Sequence, residues 1–260
     1  MTEKSDFGKD ITYLWQGWKK QGQIKIIQTI SSLIIDEEKN NLIEEKWDSA
    51  KEDNPKWRFE NIIDGIDSTI IYVSETSYKP HNALRHVEDK PIEYYPNPLS
   101  INTVQETADG YIALAKRSSS TDQAGQLALL GSGFVERFVF DEKTVSPEDP
   151  FIVMIKECMS EGRYNNIYSD GFSTEMSRVM GLVFGSNRDT TIGFYLPLFS
   201  GSMDLNLGND EHTEILWLPA KENSINSFLN SGKFKDVPAA DHTIGCIELY
   251  LKNKSFTRMK

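Results

Sequence analysis

Apolar positions follow two periods along the chain, near two residues in most segments and near three to four in a few, which predicts strands interrupted by a small number of helices. Residues 1–20 carry Trp15 and Trp18 without a clear period and are expected to be peripheral. Gln23–Ile35 is Ile-rich with partial alternation and suits a strand or strand pair. Asp36–Asp53 reads as a helix: Asp36 can cap it, Glu37 and Glu38 suit its positive end, and Leu42, Ile43 and Trp47 form a narrow stripe before Asn54-Pro55 stops it. Phe59–Ile66 and Thr69–Glu75 predict two strands, and the Pro- and charge-rich stretch 79–98 predicts a connecting loop.

Leu99–Glu106 and Gly110–Arg117 predict strands about an Ala108-Asp109-Gly110 turn. Gly125–Leu130 leads into a Gly131-Ser132-Gly133 bend, and Asp149–Gly162 has the pattern of an amphipathic helix. Met176–Phe184 and Thr190–Phe199 predict a hairpin around Ser186–Asp189, with Pro197 placing the second strand at an edge or bulge. A short strand at Ile215–Leu218 and helices at Ser224–Ser231 and Asp241–Lys252 complete the pattern. Hairpins with a few helices argue for an α+β fold rather than a doubly wound parallel sheet. The expected organisation is an N-terminal α+β section over residues 1–95 followed by a larger domain over 96–260.

Size and charge narrow the function. A chain of 260 residues with 38% hydrophobic content can bury a sizeable core. A net charge of −11 repels phosphate backbones, so nucleic-acid binding is not expected, although a bound divalent cation can still bring a small anion to a carboxylate-lined site. The two cysteines, Cys158 and Cys246, read as thiols in a reducing compartment. With no signal-peptide pattern, and with the Ile24–Ile35 stretch broken by polar residues and too short to span a bilayer, a soluble cytoplasmic protein without membrane attachment is expected.

The chemistry concentrates between Gly131 and Glu161. A glycine bend is followed by Glu136 and then by a helix in which Glu157 and Glu161, four residues apart, share a face. Phe151, Ile152, Ile155, Cys158 and Met159 occupy roughly the other side, so this helix is expected to bury its apolar face and turn both carboxylates outward. Oxygen ligands of this kind suit Mg²⁺ or Mn²⁺. Taken alone, an acidic pair on an amphipathic helix is most often a solvated face.

In this order the residues resemble the Nudix hydrolase family, whose signature is G-x5-E-x7-R-E-U-x-E-E-x-G-U with U an aliphatic residue. Ser132-Gly133-Phe134-Val135-Glu136 looks like the glycine segment, and Lys156-Glu157-Cys158-Met159-Ser160-Glu161 like the R-E-U-x-E-E core. The resemblance implies an α/β/α sandwich with a mixed sheet. It makes Glu157 and Glu161 metal ligands, Lys156 the cation that orients one of them, and Gly133 and Glu136 neighbours of the metal-bound ligand. Ser160 departs from the signature by replacing an acidic residue, Lys156 replaces arginine, Gly162-Arg163 breaks the usual ending, and the segment before the helix is expanded; Asp141 or Glu142 are candidates for the missing loop carboxylate.

Asn54-Pro55, Arg58-Phe59, Thr76–Lys79, Asn97-Pro98-Leu99, Lys116-Arg117-Ser118, Gly181-Leu182-Val183, Gly193-Phe194-Tyr195 and Glu211-His212 further resemble the subgroup that hydrolyses UDP-glucose and UDP-galactose, which has a section before the box. That resemblance implies cleavage of a nucleotide sugar to a nucleoside monophosphate and a sugar 1-phosphate, with a loop carboxylate such as Glu211 or Glu214 activating water, although Asn209-Asp210-Glu211 reads equally as an acidic turn; His212, whose side chain titrates near neutrality, is a further candidate base. An alternative on the same fold is a protein that binds nucleotide sugars or a partner without efficient turnover, which Ser160 favours; a third is an interaction protein whose acidic helix face meets a basic partner. Tyr78, Lys79, His81, Arg178 and Arg188 are secondary candidates for ligand contact, while His86 and His242 have no company that suggests zinc.

Overall fold

A computed structural model describes residues 3–7, 11–47, 52–88, 90–139, 145–164, 175–199 and 201–257. In chain order the elements are β1 (Glu3–Lys4), β2 (Thr12–Lys19), β3 (Ile24–Gln28), α1 (Glu37–Lys46), β4 (Pro55–Asp64), β5 (Thr69–Ser77), α2 (Tyr78–Leu84), β6 (Leu99–Glu106), β7 (Tyr111–Arg117), β8 (Leu127–Leu129) and β9 (Gly133–Phe134). They continue with β10 (Arg137–Val139), β11 (Val145–Pro147), α3 (Pro150–Glu161), β12 (Gly162–Tyr164), β13 (Arg178–Phe184), β14 (Thr190–Pro197), β15 (Leu205–Leu207), β16 (His212–Pro219), α4 (Glu222–Ser231), β17 (Lys233–Phe234), β18 (Val237–Pro238) and α5 (Asp241–Thr257). The fold is α+β with mixed sheets, as expected.

The main sheet runs β1-β2-β13-β14-β6-β7-β16, with β8 against β7 and β9 against β6. It is mixed because β14 pairs parallel with β6 while its other pairings are antiparallel. Successive side chains on a strand point to opposite faces, and here both faces are covered. Ala113, Ala115, Val179 and Leu182 join a core with Phe151, Met154 and Cys158 of α3. Their neighbours Ile112, Leu114, Met180 and Val183 join a second core with Phe228 of α4 and Ile244 and Ile247 of α5. Double coverage explains why β6 and β13 read as almost unbroken buried runs instead of alternating ones. A second sheet, β3-β5-β4, adds Trp57, Phe59, Ile71 and Val73 to the α3-side core.

Several expectations are corrected. Residues 12–19 are not peripheral: β2 pairs with β13, and across a register shift its aromatic side chains enter both cores, Trp15 on the α3 side opposite Leu182 and Tyr13 on the α5 side opposite Val183. The strand expected over Gln23–Ile35 ends at Gln28, and Ile30 and Ile34 beyond it are exposed. Asp36 caps α1 as expected, its carboxylate accepting from the Lys39 N–H at 2.9 Å, but the helix ends at Lys46. The stretch 79–98 is not all loop, since α2 and a 3₁₀ turn at Ile92–Tyr94 lie within it; α2 buries Ala83 and Leu84 against Ile43 of α1. Pro197 does not mark an edge. β14 lies between β13 and β6, and Pro197 is tolerated as its last residue, beyond the reach of the β13 ladder. Among the described residues no helix is long and apolar enough to cross a membrane.

Candidate active site

Helix α3 is set by its ends. Asp149 accepts from the Phe151 N–H at 2.8 Å, Pro150 occupies the first turn, and the chain leaves at Gly162 into β12. The helix lies on the sheet beside β6 and β9, which brings Glu157 and Glu161 to the Gly131–Gly133 bend. Gly133 leaves room for the Glu157 carboxylate: a Cβ there would collide with it. Gly131 has a φ of +75° and turns its N–H onto Glu161, which accepts it at 2.8 Å.

The two carboxylates do not both face outward. Glu161 is only 2% exposed and sits behind the bend, whereas Glu157 is half-buried and lines a cleft of about 320 Å³. The apolar side also differs from the expectation: Phe151 and Cys158 are buried, but Ile152 and Met159 are exposed, because sheet contact selects the Phe151–Met154–Cys158 line. Burial, then the charges of Glu136 and Glu211, raises the Glu157 carboxyl from 4.5 to about 7. Burial raises Glu161 to about 8, opposed by the Gly131 hydrogen bond and reinforced by the charges of Glu157 and Glu211.

Glu136 and Glu211 line the same cleft as Glu157, so three of the expected residues meet there with Gly133. Lys156 does not join them. Its ammonium pairs with Glu148 at 2.5 Å and is largely exposed, so it orients neither box carboxylate; the i−1 position on the helix points it away from the Glu157–Glu161 face. Glu214 pairs with Lys116 at 3.5 Å. His212 is buried and off the cleft lining, its pKa lowered to about 4 by burial and the Arg117 charge. Lys79 pairs with Glu44, Arg178 donates to the carbonyls of Glu175 and Ser177, and Arg188 stacks on Tyr95. Asp141 and Glu142 lie outside the described residues.

Lys56, Arg85 and Arg117 share the cleft, and no local sequence pattern announces them as a group. Lys56 on β4 lies 4.6 Å over the Phe134 ring, and burial lowers its pKa. Arg117 ends β7 with its Nε buried and unpartnered, and Arg85, just after α2, holds Asp122 through two bonds at 2.8 and 3.2 Å. Lys56 sits inside the Asn54–Phe59 stretch and Arg117 inside Lys116-Arg117-Ser118. The resemblance therefore marked their neighbourhoods, but no local pattern shows that strands 60 residues apart converge.

A metal is implied by the family resemblance, and the donor chemistry fits one. Glu157 and Glu161 are hard oxygen donors; the charges of Glu136 and Glu211 oppose ionisation of Glu157, and those of Glu157 and Glu211 oppose ionisation of Glu161, a repulsion that a divalent cation relieves. Among the described residues no group of three His, Cys, Asp or Glu side chains already surrounds a single point.

No protein-family model matches the chain, and no curated protein does. Among solved structures it is similar to DR0079 from Deinococcus radiodurans, with 14% identity and a TM-score of 0.39 over 58% of this chain and 82% of that one. It is also similar to a C. elegans Ap4A hydrolase in a binary complex, with 13% identity and a TM-score of 0.36 over 60% of this chain and 97% of that one.

Proposed function

We propose that this chain is a Nudix-type hydrolase that cleaves the anhydride bond of a substituted nucleoside diphosphate, with a UDP-sugar as the first substrate to try and Mg²⁺ or Mn²⁺ as the cofactor. The observation that carries the reading is the meeting, in one cleft, of Glu157, Glu136 and Glu211 with Lys56 and Arg117. Carboxylates alone would repel a diphosphate and cations alone would only bind it; together they suit an anionic ligand and the ion it needs.

Glu157 and Glu161 would hold the ion, which supplies charge neutralisation on the diphosphate and a lower pKa for the attacking water. Lys56 and the free Nε of Arg117 orient the phosphate oxygens and offset the negative charge that grows as the anhydride breaks. Phe134, with the Lys56 ammonium over its ring, forms part of the cleft wall. Glu211 is exposed, lies at the cleft and accepts the proton of water. Water forms a new P–O bond, the bridging P–O bond breaks, and a nucleoside monophosphate and a sugar 1-phosphate leave.

A second reading, ligand binding without efficient turnover, is favoured by one observation: Ser160, at the place of an acidic residue in the family signature, is exposed and supplies no third helix carboxylate. A panel of nucleoside diphosphate sugars incubated with Mg²⁺ or Mn²⁺ and analysed for monophosphate products separates the two. Turnover that Glu157→Gln reduces by at least about a hundredfold supports hydrolysis. Binding without any product supports the second reading, and turnover untouched by Glu157→Gln refutes the site.

A further inference from the structure

At another part of the same cleft lies a cluster that the hydrolytic chemistry leaves unused. His81 of α2 is fully buried, yet neither ring nitrogen has a hydrogen-bond partner. His242 near the start of α5 is 8% exposed with its Nδ1 unpartnered, and its Nε2 stands 3.5 Å from Asp189 Oδ1. Asp189, 3% exposed in the turn between β13 and β14, accepts from Ser100 Oγ at 3.1 Å through Oδ2, while Oδ1 has no hydrogen bond. All three line the cleft. Buried polar atoms are almost always satisfied, so this many idle donors and acceptors facing a cavity describe a place where a ligand completes them.

The chemistry of the set selects the ligand. Burial is the main cause that lowers the His81 pKa to about 4, which leaves a neutral imidazole with one donor and one acceptor. A carboxylate oxygen only accepts. A phosphate, which also offers mainly acceptors, would meet Asp189 unfavourably. Two adjacent hydroxyls match the set: each donates a hydrogen bond to a carboxylate oxygen or an imidazole nitrogen and accepts one from an imidazole N–H.

The geometry points to a subsite, formed by His81, His242 and Asp189, that binds a vicinal diol of the ligand. This rests on the reading of the cleft as a nucleotide-sugar site, and it does not depend on hydrolysis. The diol belongs either to the ribose or to the glycosyl group, and the two are separable by experiment.

The test measures affinity of the full chain, by calorimetry, for UDP-glucose, its 2′-deoxyribose analogue and UDP, using wild type and Asp189→Asn. A ribose diol predicts that the 2′-deoxy analogue binds at least about tenfold more weakly than UDP-glucose, and that Asp189→Asn adds nothing further to that loss. A glycosyl diol predicts that UDP binds indifferently to Asp189→Asn while UDP-glucose loses at least about tenfold. The analogue comparison on wild type stands even where the variant folds poorly. Imidazole ¹⁵N spectra add a site-resolved check: of the four histidines, His81 and His242 should shift on binding, with His86 and His212 unmoved.

Equal losses for all three ligands, unchanged affinity throughout, no binding by any of them, or unmoved His81 and His242 signals overturn the inference. Product release without dependence on Asp189 sinks this subsite alone. Diol-dependent binding without product, in wild type with Mg²⁺ or Mn²⁺, sinks hydrolysis alone.

Discussion

Replacing Glu161 by glutamine should make the metal-free protein more stable at alkaline pH. The amide oxygen of Gln can still accept the Gly131 N–H that Glu161 holds at 2.8 Å, so the local hydrogen bond survives. What disappears is a buried carboxyl whose pKa rises from 4.5 to about 8, chiefly through burial. Because the folded-state value is raised, the stability tied to this group is fully present below about pH 4.5 and is lost as pH climbs through about 8. At about 1.4 kcal/mol per pH unit, the upper bound on that loss is about 4–5 kcal/mol at pH 9, and under 1 kcal/mol at pH 5. For a chain of this size 1 kcal/mol moves Tm by about 2–4 °C, so even half the bound gives roughly 5–10 °C. Thermal unfolding in EDTA should therefore show Glu161→Gln melting close to wild type at pH 5 and clearly above it at pH 9. Mg²⁺ or Mn²⁺ should raise wild type at pH 9 and leave the variant nearly unmoved. Parallel Tm curves for the two proteins across this range in EDTA would refute the claim that Glu161 is a strained, ion-demanding carboxylate.

Other substitutions test the same assembly. Gly133→Ala places a methyl where the Glu157 carboxylate lies, so this flexible side chain must turn aside; stability should change by no more than about 1 kcal/mol while the Mn²⁺-induced rise in Tm is lost, and an unchanged rise would show that Glu157 does not need that gap. Lys156→Met should change unfolding free energy by no more than about 1 kcal/mol and leave the cation response intact, because the exposed ammonium pairs with Glu148; loss of the response in a metal titration would restore it to the box. Lys56→Met should weaken calorimetric binding of UDP or inorganic pyrophosphate by about tenfold through loss of a charged contact, and equal affinity would remove Lys56 from the phosphate site.

Legibility in the sequence followed the range of the interactions. The strands of β6 and β7, the β13–β14 hairpin and both ends of α3 depend on local period, turn and cap chemistry, and the residues announce them. The i, i+4 spacing of Glu157 and Glu161 likewise placed both on one side of α3. Which part of that side is buried depends on Gly131 and on the neighbouring strands, so the seclusion of Glu161 and the exposure of Ile152 were not visible. The partner of Lys156 is Glu148, just before the helix, and a family pattern gives no sign of that substitution. Lys56, Arg85, Arg117 and Asp189 reach one cleft from four separate segments, through parallel and long-range pairings that no single stretch encodes. The place of β2 in the main sheet was hidden for the same reason, since its partner β13 lies more than 150 residues on.

Binding of Mn²⁺, followed by loss of the free-ion EPR signal at pH 8, gives the sharpest reading of whether the α3 carboxylates form a cation site. The account predicts saturable binding to wild type that the folded Glu157→Gln/Glu161→Gln protein lacks. Mn²⁺ binding of the same affinity and stoichiometry in both proteins would contradict it.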